Sequence, residues 1–211
     1  GRDVLAAART GSGKTLAYLV PLVERLYARR WAAPDGLGAL VVLPTRELAL
    51  QVFEVLRALL EFHQLTFGLL IGGKSLAAEQ AVAARLNVLV CTPGRLLQHL
   101  TETVDFDAGG LQYVVFDEAD EIFSLGFAAT LSAVLELLPA GAQTLLLSAT
   151  LSAQVLGLAR LSLKSPERVF GPAGGTPRAG YALPEQLAHF YAVVPAHEKL
   201  NVVFSFLRTH A

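Results

Sequence analysis

Short apolar runs alternate with longer amphipathic stretches over most of the chain. The runs at 3–7, 39–43, 66–71, 87–91, 112–116 and 143–148 have the length of strands. Leu40-Val41-Val42-Leu43 and Val88-Leu89-Val90 are apolar at consecutive positions, as expected of strands covered on both faces. Between the runs, the spacing of apolar residues predicts helices over about 14–29, 46–62, 75–85, 94–101, 118–138 and 152–162. Strand–helix alternation of this kind predicts an α/β fold, a parallel sheet with helices on both faces. Ligands of such sheets bind beyond the carboxyl ends of the strands, which is therefore where to look for chemistry.

The pattern changes after residue 170. Residues 171–184 hold Gly171, Gly174, Gly175 and Gly180 with Pro172, Pro177 and Pro184, the composition of a flexible linker. Beyond it, 186–194 reads as a strand and 196–210 as a helix, the expected start of a second domain after a first that occupies 1–170. The chain opens on Gly1 one residue before an apparent strand and contains no Met, so it reads as an internal piece of a longer protein.

Composition narrows the function without naming it. Hydrophobic residues make up 53% of the 211 residues and charged ones 17%, enough for a large core. The formal net charge of −1 gives no global positive field, which argues against a purely electrostatic nucleic-acid binder. It leaves room for a protein that grips phosphates with backbone N–H groups and a few Arg. Cys91 is the single cysteine, so no internal disulfide forms and a reducing intracellular compartment fits. No apolar run reaches membrane-spanning length without interruption by charge or Pro, so no membrane is expected as a partner.

Chemistry concentrates at the ends of the strand-like runs. After the first comes Ala8-Arg9-Thr10-Gly11-Ser12-Gly13-Lys14-Thr15. Strand, glycine-rich turn, Lys-Thr and helix is the build of a phosphate-binding loop. Gly11 and Gly13 let the backbone turn sharply and approach a polyphosphate, and the helix start supplies N–H groups and positive dipole. Lys14 would reach the β- and γ-phosphates, and the Thr15 hydroxyl would hold Mg²⁺. Tyr113-Val114-Val115-Phe116 runs into Asp117-Glu118-Ala119-Asp120, an apolar strand ending in carboxylates. Asp117 suits the acid that holds the Mg²⁺, usually through water, and Glu118 the group that orients an attacking water. Read alone, these acids could simply favour a helix start. The run 143–148 ends in Ser148-Ala149-Thr150, hydroxyls that could also cap the next helix.

These motifs, in this order, resemble the DEAD-box family of ATP-dependent RNA helicases. The likeness covers about 1–170 and takes in Ala8–Thr15, Pro44-Thr45-Arg46-Glu47-Leu48, Gly72-Gly73, Thr92-Pro93-Gly94-Arg95, Asp117–Asp120 and Ser148–Thr150. The resemblance implies a RecA-like P-loop domain using ATP and Mg²⁺, with Lys14, Asp117 and Glu118 catalytic. It implies RNA-phosphate contacts from Pro44, Thr45 and Arg46, from Gly72 and Gly73, and from Thr92, Pro93, Gly94 and Arg95. Ser148 and Thr150 would hydrogen-bond Asp120 and couple nucleotide state to RNA grip. Outside the motifs, Asp35–Gly38, Phe53–Arg57, Ile71–Lys74, Val88–His99, Glu102–Val104, Leu158–Lys164 and Phe204–Arg208 resemble a nucleolar branch of the family. That branch acts in small-subunit (18S) rRNA maturation, which implies pre-rRNA or snoRNA duplexes as partners and a nuclear, nucleolar location.

Two parts of the family pattern lie outside the sequence: the upstream adenine-reading motif, and most of the second RecA-like domain with its arginine fingers. Such fingers are worth about 10³–10⁵ in rate, so the isolated chain is expected to be nearly inactive. Glu121 stands where the family commonly has Arg. Two other readings stay open at this stage: a P-loop ATPase acting on DNA or protein, and a non-enzymatic RNA-binding or scaffold module with a weak nucleotide site. The five histidines have no metal-ligand spacing and read as surface or helix-face residues, Cys91 as a small buried apolar group, and Trp31 as a packing residue.

Overall fold

A computed structural model describes residues 1–8, 11–73, 75–170, 188 and 190–210. By internal contacts the chain divides into two units, Gly1–Pro177 and Arg178–Ala211. The first is a seven-stranded, wholly parallel sheet. Its strands are β1 (Val4–Ala7), β2 (Ala39–Val42), β3 (Phe67–Leu70), β4 (Val88–Cys91), β5 (Tyr113–Phe116), β6 (Gln143–Ser148) and β7 (Glu167–Phe170), in spatial order β3-β4-β2-β5-β6-β1-β7. The helices of this unit are α1 (Lys14–Ala28), α2 (Arg46–Leu59), α3 (Leu76–Ala83), α4 (Pro93–Glu102), α5 (Ala119–Ser124), α6 (Ala128–Leu137) and α7 (Ala153–Ser162). The expected fold class and six expected strands are found.

Alternation along the strands builds two cores. Ala39, Val41, Val88, Val90 and Val115 pack with Leu19, Leu22 and Leu26 of α1 and Val52 and Leu56 of α2. Leu40, Val42, Leu89, Val114 and Phe116 face the other way, onto Leu96 of α4, Ile122 of α5, Leu131 of α6 and Val155 of α7. Each central strand is thus buried on both faces, which explains its unbroken apolar run. Cys91 is fully buried in the second core, and burial pushes its thiol pKa up. Trp31 donates from Nε1 to the Gly36 carbonyl at 2.9 Å and lies against Gly38, where a Cβ would come within 2.9 Å of the indole.

Register sets where the motifs fall. Ala7 lies beside Ser148, Phe116 beside Val42, and Val42 beside Cys91, so the strands end together along one edge. Every motif singled out in the sequence follows one of these ends.

The structure departs from the sequence reading in three places. The helix expected over 118–138 is two helices, because Gly126 at φ +85° ends the first turns in a left-handed residue. The strand β7 was not expected; its four residues are all exposed and carry no apolar run. Pairing with β1 and a tether at Asp3 create it: the Asp3 carbonyl accepts from Glu167 N at 2.8 Å, and its carboxylate accepts from Lys164 N at 2.6 Å. Of the strand expected over 186–194, residues 186, 187 and 189 lie outside the described residues, and the described remainder carries no strand. The linker read at 171–184 also lies outside the described residues. In the second unit, α8 (Lys199–His210) forms as expected. No described helix is long and apolar enough to cross a membrane.

Candidate functional site

The glycine turn after β1 is built as its sequence demands. Gly11 and Gly13 sit at φ +80° and +86°, a region that Cβ-bearing residues enter only with strain. Gly13 is the N-cap of α1, so no side chain caps the first turn, and that turn contains no acid. The N–H groups of a helix start with no internal capping group are suited to an external anion. Ala8 donates its N–H to the Ser148 carbonyl at 3.2 Å, tying the start of the loop to the end of β6. Arg9 and Thr10 lie outside the described residues.

Lys14 closes the turn inward. Its side chain is 8% exposed, and Nζ lies 2.9 Å from Glu118 Oε1. Glu118 adopts φ 50°, ψ 50°, left-handed for a non-glycine residue, at the junction of β5 and α5. Strained residues of this kind cluster at functional sites. Beside it, the buried Asp117 carboxylate is held at both oxygens: Oδ1 accepts from Glu118 N at 2.9 Å and Oδ2 from the Tyr18 hydroxyl at 3.0 Å. Burial, then the neighbouring Glu118 charge, raises the Asp117 pKa, and the Lys14 ammonium pulls it back. The arrangement is one cation against two carboxylates beside an anion-receptive turn. The donor set fits a hard divalent cation, which takes carboxylate and hydroxyl oxygens such as those of Asp117 and Thr15.

The coupling residues are partly as expected. Thr150 donates to Asp120 Oδ2 twice, from its backbone N at 3.0 Å and its hydroxyl at 2.8 Å. Ser148 does not bond Asp120: its hydroxyl donates to the Thr150 carbonyl at 2.7 Å, bracing the loop that carries Thr150. The capping role left open for these hydroxyls falls instead to Ser152, which accepts from Val155 N.

The rest of the edge is a strip of backbone-rich loops. Thr45 caps α2, its hydroxyl accepting from Leu48 N at 3.2 Å, with Pro44 buried behind it. Arg46 is exposed and lays its guanidinium over Gly72 and Gly73. A Cβ at Gly73 would stand 2.7 Å from Arg46 Nη1, and one at Gly72 3.1 Å from Nη2, so glycine at both permits the contact. Thr92 is the N-cap of α4 and its hydroxyl caps no backbone N–H; Gly94 is half-buried and Pro93 buried. Arg95 departs from its expected place on the RNA-facing surface. Its side chain is 6% exposed, with Nε donating to Glu79 Oε2 at 2.7 Å and Nη1 to Gln98 Oε1 at 3.0 Å. The buried carboxylate of Glu79, on α3, draws the guanidinium in. His99, expected as a surface or helix-face residue, lies on the inward face of α4, fully buried, and shares the same Glu79 oxygen at 3.2 Å.

Sequence reasoning missed Tyr18, Glu79 and His99. A Tyr amid the apolar stripe of α1 and a Glu in the short, Ala-rich α3 were the available signals. Neither spacing nor composition says what such a polar atom will meet.

Comparison with known proteins agrees with this geometry. The family model for the DEAD/DEAH box helicase matches residues 1–157. The chain is 52% identical over its whole length to the ATP-dependent RNA helicase dbp4 of Sclerotinia sclerotiorum, covering 26% of that protein. It is 53% identical to the probable ATP-dependent RNA helicase DDX10 of Mus musculus, covering 24% of it. The chain thus spans about a quarter of the length of the curated relatives it matches. The crystal structure of a DEAD box protein from the hyperthermophile Methanococcus jannaschii superposes with a TM-score of 0.76 at 30% identity, over 82% of this chain and 46% of that one. With sheet, strand-end motifs and whole-length relatives in agreement, the chain belongs to the DEAD/DEAH box helicase family, and its first unit is a RecA-like domain of that family.

Proposed function

We propose that this chain is the ATP-binding half, and one side of the RNA grip, of an ATP-dependent RNA helicase. The observation that carries the reading is the shared edge. The Lys14–Glu118 pair beside Asp117 and the Arg46–Gly72–Gly73 contact follow the carboxyl ends of one parallel sheet. The names of the similar relatives support the same activity.

In this reading the turn 8–15 cradles the phosphates of ATP. Lys14 leaves Glu118 for the β- and γ-phosphates, because a polyphosphate offers more negative charge than one carboxylate. That exchange frees Glu118 to orient the attacking water, so substrate binding itself exposes the group needed for hydrolysis. Thr15 and Asp117 would hold Mg²⁺, which neutralises phosphate charge when bound. The Thr150–Asp120 bonds connect the acidic motif to the loop after β6 and so carry nucleotide state across the edge. RNA lies over Thr45, Arg46, Gly72, Gly73, Thr92 and Gly94, gripped through phosphates and without base reading. Pro44, Pro93 and Arg95 shape that surface from inside.

The domain layout proposed is a core over 1–170, a linker over 171–184 and the start of a second RecA-like domain from 185, in keeping with the division of contacts near Pro177. Closure of two such domains on ATP and RNA would open a short duplex. The branch segments quoted above support pre-rRNA or snoRNA duplexes as substrates and a nucleolar location. ATP hydrolysis by the full-length parent protein tests the function. Single-stranded RNA should stimulate turnover strongly and DNA of the same sequence should not. Equal stimulation by both, or by neither, overturns it.

A further inference from the structure

Tyr18 places the one polar atom of its side chain against Asp117, one of the residues proposed above to hold Mg²⁺. It lies on the inward face of α1, three residues after Thr15, and is 2% exposed. Its ring packs in the core formed with Leu19, Leu22 and Val41. A phenol in such surroundings needs a partner for its hydroxyl. The partner is Asp117 Oδ2 at 3.0 Å, across the sheet edge. With Oδ1 held by the Glu118 backbone at 2.9 Å, both carboxylate oxygens are fixed. Phenylalanine would fill the same space and leave Oδ2 without this donor.

The phenol is the donor of the bond to Asp117, and burial first and then the Asp117 charge push its pKa up. A carboxylate held at both oxygens by donors of the chain cannot swing away from a cation, and Thr15, the other expected ligand of that cation, lies one turn earlier on the same helix.

We infer that Tyr18 is a positioning residue whose hydroxyl orients Asp117 and so sets how strongly a divalent cation enhances nucleotide binding. The inference rests on the nucleotide site proposed above. Residues that orient metal ligands without touching the metal typically change affinity about 10- to 100-fold when lost.

Calorimetric titration of ADP into this 211-residue chain, with Mg²⁺ and with EDTA, tests it. In Tyr18→Phe the Mg²⁺ enhancement of ADP affinity should fall about 10-fold. Affinity in EDTA should stay within about twofold, because ring, loop and Lys14 are unchanged. In an Asp117→Asn background, Tyr18→Phe should have no further effect on the enhancement. An unchanged enhancement in Tyr18→Phe, an equal loss with and without Mg²⁺, or full additivity with Asp117→Asn overturns the inference and leaves the nucleotide site standing. A Tyr18→Phe chain that no longer melts cooperatively also overturns it, by making the hydroxyl a determinant of folding. No Mg²⁺ enhancement in the wild type overturns the nucleotide-site reading itself, and the inference with it.

Discussion

Replacing Lys14 by Ala should destabilise the domain as well as remove a phosphate ligand. The ammonium lies 2.9 Å from Glu118 Oε1, with side chains 8% and 16% exposed. At an effective dielectric of about 20, that pair is worth roughly 6 kcal/mol of gross attraction. Desolvation offsets much of it, but deleting one partner leaves the other charge half-desolvated, at a typical cost of about 3–5 kcal/mol. Water reaches Glu118 more than Lys14, so the lower end, about 3 kcal/mol, applies here. For a domain of this size that is a fall in Tm of about 6–12 °C. The remaining carboxylates compound the effect. Asp117 already has a raised pKa, and Lys14 is the cation that lowers it. A raised carboxyl pKa means stability present in acid and lost as pH rises through the folded value. The deficit of Lys14→Ala should therefore widen as pH rises above the ordinary carboxylate range. Adding Glu118→Gln should recover more than half of the lost stability without restoring nucleotide binding. Thermal and urea melts of the two variants decide the matter. A Lys14→Ala melt within about 2 °C of wild type, or no recovery in the double variant, would refute the reasoning.

Asp117→Asn should raise Tm near neutral pH, because it removes a buried charge that burial and Glu118 both penalise, and the gain should vanish toward about pH 4. The same variant should lose Mg²⁺-dependent ADP binding by calorimetry. Gly73→Ala should cost about 1–2 kcal/mol for its φ of +93° and displace the Arg46 guanidinium. RNA affinity, read by fluorescence anisotropy against salt, should fall with a slope shallower by about one phosphate contact, and ADP affinity should not change. Glu79→Ala should cost about 3–5 kcal/mol in a urea melt, since Arg95 and His99 lose a shared buried carboxylate. Adding Arg95→Met should recover part of that loss, because a buried charge that has lost its carboxylate is worse than none.

How much of this was legible in the sequence depended on whether the signal was local. The glycine turn after β1 announces itself because Gly11, Gly13 and Lys14 act through backbone conformation and one fixed reach. The central strands do so because Leu40–Leu43 and Val88–Val90 are apolar on both faces. What depended on distant partners did not show. β7 exists because Asp3, at the other end of the domain, holds Lys164 and Glu167, and nothing in Glu167–Phe170 itself asks for a strand. The break at Gly126 turns on one left-handed residue inside an otherwise helical pattern. Arg95 reads as a surface cation from its position after a strand end. Only packing reveals that Glu79, sixteen residues earlier, draws it inward. Ser148 and Thr150 look equivalent in sequence, yet only Thr150 reaches Asp120.

The central claim is that one sheet edge takes nucleotide at one end and RNA at the other. Hydrogen–deuterium exchange on this chain tests it most directly, with Mg·ADP, with a single-stranded RNA, and with both. Mg·ADP should protect residues 8–15 and 117–120. RNA should protect 44–48, 72–76 and 92–95, and both ligands together should add protection at 148–150. Protection by RNA outside those loops, or by nucleotide away from the turn and the acidic strand end, would contradict the account.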